Sequence, residues 1–147
     1  MSLIKYIDKI MNAYFIEGND IGGYENIYIM IDIHNTILKP TYKEEEKFEY
    51  FPYAKEVLRL LSSLSNVRLI LWTSSHEDKI KTYLEHFSSN DIIFSYVNEN
   101  PEFDAKVMPY ASFKDKFFYD IGIDDKFGFD AECDWKEIYN FLTDNIL

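Results

Sequence analysis

A three-layer α/β/α sandwich around a mainly parallel, Rossmann-like sheet is the fold this sequence predicts, and three observations predict it. Short apolar runs of strand length alternate along the chain with amphipathic stretches of helix length. The first two runs, IYIMIDI at 27–33 and VRLILWT at 67–73, are almost continuously apolar, as strands buried on both faces are. The 147 residues form a one-domain length, enough to bury roughly 70% of the surface an unfolded chain exposes.

Taken in order, Leu3, Ile7, Ile10 and Met11 stand at helical spacing and predict a short amphipathic helix over 2–13. GNDIGGYEN, 18–26, is a turn-forming link into the first strand. KPTYKEEEKFEYF, 39–51, is too polar for a core and lacks helical period, so an exposed loop or short hairpin is expected, with Glu44 to Glu46 solvated. Pro52 suits the first turn of a helix whose Val57, Leu58, Leu61 and Leu64 line one face and which Asn66 ends. After the second strand, Ser74 and Glu77 have the spacing of a capping box, opening a helix with Ile80, Tyr83, Leu84 and Phe87 on one side. IIFSYVN, 92–98, reads as a third strand, 98–115 as a long irregular link, FFYDIGI, 117–123, as a fourth strand, and 134–147 as a closing helix. No repeat or linker interrupts the series, so residues 1–147 are expected to form one domain.

Composition narrows the partners. Twelve Tyr and twelve Phe predict a core filled with flat side chains. A formal charge of −11, with lysines scattered among acids, disfavours nucleic acid, whose binding rests on clustered Lys and Arg releasing counterions. The lone Cys133 allows no internal disulfide and is expected to serve packing. His76 and His86 lack ligand-spaced partners and are expected to face solvent. No run of about eighteen apolar residues is present to span a membrane, and MSLIKYIDKIMNAYF lacks the continuous apolar segment of a secretory signal. A soluble cytoplasmic protein is the expectation.

On a parallel sheet, ligands gather at the carboxyl ends of the strands. Asp32 and His34 leave the first strand, Thr73 and Ser74 the second, and Asp124 and Asp125 the fourth, with Lys116 just ahead of it. Three carboxylates at one crevice repel one another unless a cation lies between them. Hard oxygen ligands, few in number, suit Mg²⁺ engaged with a substrate phosphate.

These segments, in this order, resemble the four motifs of the haloacid dehalogenase-like superfamily. DIHNT at 32–36 resembles the D-x-D-x-T strand end, LILWTS the strand ending in Thr73, and KFFYDIGIDDK at 116–126 the lysine followed by a strand ending in acids. The likeness runs from about residue 27 to the final helix and is nearest to small, capless members, since one loop and one helix between the first two motifs leave no room for a sizeable cap. The resemblance implies a phosphatase in which Asp32 is the nucleophile, forming an aspartyl phosphate. Thr73 and Lys116 would hold the transferring oxygens, with Asn35 and Ser74 as further substrate contacts. Asp32, Asp124 or Asp125 and the main-chain carbonyl of His34 would hold Mg²⁺. The substrate would be phosphorylated, either a small molecule or a macromolecule. One departure matters: the family's second Asp, its acid and base, is His34 here. The main-chain metal contact survives that exchange, whereas proton transfer passes to an imidazole. A slow phosphatase or an enzyme favouring substrates with good leaving groups is therefore expected, and the alternative is a catalytically degenerate module that keeps the pocket for binding. A phospho-receiver domain uses similar residues but places its paired acids at the first strand, the reverse of the order here.

Overall fold

The computed structural model describes residues 3–11, 26–40, 48–104 and 117–145. Four parallel strands, β1 (Ile27–Asp32), β2 (Val67–Trp72), β3 (Tyr96–Val97) and β4 (Ile121–Ile123), form one sheet in the order β3-β2-β1-β4. The helices are α1 (Leu3–Met11), α2 (Ala54–Ser63), α3 (Glu77–Ser89), the short α4 (Pro101–Asp104) and α5 (Asp134–Asn145). This is the α/β, Rossmann-like arrangement the alternating pattern predicts. β1 lies inside the sheet, pairing with β2 from Ile27↔Val67 to Asp32↔Trp72 and with β4 from Ile29↔Ile121 to Ile31↔Ile123.

Alternation along the strands divides the sheet into two faces. Ile27, Ile29, Ile31, Leu69, Leu71, Ile121 and Ile123 share one core with Ile7 and Met11 of α1, Leu58 and Leu61 of α2, Tyr83 and Phe87 of α3, and Trp135 and Leu142 of α5. The opposite face carries a smaller cluster, Tyr28 and Ile70, against Tyr96, Phe117 and Phe118. Over that face Glu102 of α4 accepts hydrogen bonds from Tyr96 Oη at 2.7 Å, Tyr28 Oη at 3.2 Å and Asn26 Nδ2 at 3.0 Å, and pairs with Arg68 Nε at 3.2 Å. Burial works against the Glu102 charge, but these donors outweigh it and hold its carboxyl below the usual range. One carboxylate thus fastens the β3–β4 crossover to three strands.

Several boundaries depart from the sequence reading. β3 and β4 are two and three residues long because their leading halves do other work. Ile92 N–H bonds to Phe87 O, closing α3, while Phe117 and Phe118 pack across the second face. Part of the expected irregular link is α4. Pro52 stands in a turn ahead of α2, whose N-cap is Tyr53 in left-handed backbone (φ 66°), and the helix stops at Ser63, before Asn66. Ser74 caps nothing: the residue flanking α3 is His76, which makes no side-chain cap bond. The short hairpin is present at its base, where Lys39 N bonds to Glu49 O and Leu38 opposes Tyr50; residues 41–47 lie outside the described residues. Cys133 is exposed rather than packed, and His86 is half-buried, its ring stacked on Phe48 with centroids 4.1 Å apart. Among the described residues no helix is long and apolar enough to cross a membrane.

Candidate metal and phosphoryl site

β1 ends because the chain turns back on itself. Ile33 O accepts from the N–H groups of Ile37 at 2.8 Å and Leu38 at 3.0 Å, and Asn35 takes left-handed backbone (φ 60°), which asparagine tolerates better than most residues. The turn buries Thr36 completely. Its hydroxyl accepts from Asp125 N–H at 3.2 Å, and its carbonyl accepts from the buried Trp135 indole at 2.7 Å. Thr36 therefore ties the turn after β1 to the turn after β4 and to α5.

The second turn is as tightly specified. Asp124, only 5% exposed, accepts from Lys126 N–H through Oδ1 at 3.0 Å and starts a single 3₁₀ turn, Asp125–Phe127, that ends at Gly128 with φ 90°. Glycine suits that left-handed position. Two strand ends, each closed by its own turn and joined through Thr36, bring Asp32, Asp124 and Asp125 together with one carboxylate oxygen from each within 4.8 Å of the others. Burial first, and then the charges of Asp124 and Asp125, push the Asp32 carboxyl up to about 6 against the opposing Ile33 N–H and Lys126. Burial and the Asp124 carboxyl likewise raise Asp125.

The remaining predicted residues distribute unevenly. His34 is exposed, and its Nε2 lies 2.9 Å from the Tyr83 hydroxyl of α3, with the two rings edge to face. The Thr73 hydroxyl donates to Ser75 Oγ at 3.0 Å and accepts from Ser75 N–H at 3.1 Å. Its peptide is clamped by Asn98, which accepts from Thr73 N–H and donates to Thr73 O, each at 2.8 Å. Ser74 and Asn35 are exposed, Asn35 with its N–H bonded to Leu38 O at 3.0 Å. Lys116 lies outside the described residues. Lys126, exposed at the turn after β4, supplies a cation that acts on Asp32. Sequence reasoning missed Tyr83, which reads as an ordinary apolar-face residue, and Asn98, whose only signal was its position at the end of the expected third strand. Thr36 closes the DIHNT motif in the sequence, and its burial emerges only in the fold.

No family model and no curated protein matches this chain. A solved structure is similar: a conserved protein from Bacteroides thetaiotaomicron, with a TM-score of 0.58 and 26% identity over 83% of this chain and 93% of that one. The likeness supports the α/β fold.

Proposed function

We propose that the chain is a haloacid dehalogenase-like, Mg²⁺-dependent phosphohydrolase that works through an aspartyl phosphate on Asp32. The observation that carries the reading is the meeting of Asp32, Asp124 and Asp125 from two strand ends, with Asp32 held at a raised pKa by burial and by its acidic neighbours. Such a donor set fits a hard divalent cation: all oxygen, anionic, and too crowded to be comfortable without one. The residues holding it would be Asp32, Asp124 or Asp125 and the His34 carbonyl. A bound Mg²⁺ would offset the negative charge of the acids and of the phosphoryl oxygens.

A carboxylate oxygen of Asp32 attacks phosphorus in line with the leaving oxygen; the Asp–O–P bond forms as the ester P–O bond breaks, and the leaving oxygen takes a proton. Water then attacks the phosphorus, loses a proton, and releases phosphate from Asp32. By the resemblance, His34 takes the motif position of the family's acid and base Asp; its Nε2 lies 2.9 Å from the Tyr83 hydroxyl. Thr73 and Lys116 are the proposed contacts for the transferring oxygens, with Asn35 and Ser74 near the substrate. The substrate is a phosphorylated molecule, and the net charge of −11 argues against nucleic acid.

The test is phosphate release from acetyl phosphate with Mg²⁺. Wild-type protein is expected to exceed Asp32→Asn by at least about a hundredfold; equal rates would remove the hydrolase reading. The tie between His34 and Tyr83 favours a second reading, a degenerate module that binds without turnover. His34→Asp separates the two, because a gain in turnover marks an intact site lacking only its proton relay.

A further inference from the structure

Beside the acids the sheet presents aromatic rings to solvent. Register partners in a parallel pair lie on one face, so Trp72, the partner of Asp32, stands on the same side as Asp32. Gly122 pairs with Met30, which puts Gly122, and Asp124 two residues on, on that side as well. Trp72 is 39% exposed, Tyr119 40% and Phe127 59%. Phe117 bridges two of them, its ring centroid 5.4 Å from Trp72 and 6.0 Å from Tyr119. A Cβ added at Gly122 would meet the Tyr119 ring at 3.1 Å and the Phe127 ring at 3.4 Å, so both rings lie over the bare glycine backbone. The rings form a continuous row from the end of β2, over β4, to the turn that carries Asp124 and Asp125.

We infer that this row binds the flat aromatic leaving group of a phosphate monoester whose phosphoryl end lies at Asp32. The inference rests on the proposed phosphoryl site and names its substrate class. Solvent-facing rings gain most from a planar apolar partner, which they can contact face-on or edge-on. The adjoining acids demand a cation and, through it, an anion. A molecule that satisfies both carries a phosphate within a few bonds of an aromatic ring, whether aryl or heterocyclic. A short alkyl phosphate would use the acids and leave the rings wet.

The test is calorimetric titration, in Mg²⁺, of benzylphosphonate and methylphosphonate, which cannot be hydrolysed at the carbon–phosphorus bond. Wild-type protein is expected to bind the benzyl compound about tenfold more tightly, and Trp72→Ala and Phe127→Ala to shrink that preference to about twofold or less. Both side chains are exposed, and melting curves check that the variants fold. Equal affinities, no binding of either compound, or a preference undiminished in both variants would overturn the inference. Acetyl phosphate, which has no ring, keeps the two claims separate: its Asp32-dependent turnover alongside equal phosphonate affinities sinks the aromatic site alone. A benzyl preference without acetyl phosphate turnover sinks the hydrolase reading alone.

Discussion

Among the described residues two carboxyls are pushed up to about 6, one at each end of the sheet, and they differ in what accompanies their burial. Burial is the leading cause for both. At Asp32 the charges of Asp124 and Asp125 add to it, so the ionised form is opposed by its neighbours as well as by lost water. At Asp120, just ahead of β4, no acid among the described residues contributes; its Oδ2 accepts from Tyr28 N–H at 2.9 Å, a bond that opposes the shift, while its own N–H bonds to Tyr28 O at 2.8 Å. Asp120 serves as an extra rung between β4 and β1, and its charge in turn helps burial raise the Tyr6 phenol. The same shift therefore accompanies a carboxylate cluster, where we propose a cation, in one region and a buried strand-to-strand hydrogen bond that opposes the shift in the other. A perturbed pKa identifies a site only when its cause is read with it.

The largest expected effect that would break this comparison is the response to Mg²⁺. A cation bound by the folded acids alone stabilises the fold, by about 2.7 kcal/mol at a hundred times its dissociation constant. Thermal melts should show this gain in wild type and in Asp120→Asn, and its loss in Asp32→Asn. An undiminished gain in Asp32→Asn would place the ion elsewhere.

Next in size is the pH dependence. Both folded pKa values exceed those of the unfolded chain, so between about pH 4 and 6 the folded state holds protons that the unfolded state has lost. Stability from these groups is greatest at the acidic end of that window and falls as pH rises through it. Asp120→Asn keeps an acceptor for Tyr28 N–H without the buried charge. It should gain about 1–2 kcal/mol at pH 7, allowing for partial solvent access, and flatten the slope, as measured by urea unfolding across the window. A loss of stability at pH 7 would show that the charge itself supports the strand pairing.

The smallest expected effect is at the tie between the two turns. Thr36→Val keeps the shape but removes the acceptor for Asp125 N–H, which should cost about 1 kcal/mol in unfolding free energy. It should also weaken Mg²⁺ binding, because Asp125 is no longer held against the turn after β1. Unchanged Mg²⁺ affinity by titration would mean that the acids are positioned by their own turns alone.

The parts legible in the sequence are those that local chemistry determines. β1 and β2 showed because burial on both faces demands unbroken apolar residues, and the acids at the ends of β1 and β4 showed because carboxylates seldom follow such strands without a reason. β3 and β4 were overdrawn, since Ile92 and Phe117–Phe118 are apolar for the sake of packing rather than strand pairing. The capping box failed because Thr73, Ser75 and Asn98 settle the turn before α3 among themselves, leaving Ser74 outside it. Long-range ties were invisible: nothing near Thr36 announces Trp135, and nothing near His34 announces Tyr83.

A crystal structure with Mg²⁺ and beryllium fluoride would show whether the three aspartates hold a cation against a phosphoryl group on Asp32. The expected result is a tetrahedral fluoride adduct on an Asp32 oxygen and an octahedral ion shared by that adduct, Asp32 and at least one of Asp124 and Asp125. An unmodified Asp32 at saturating reagent, or an ion bound away from all three carboxylates, would contradict it.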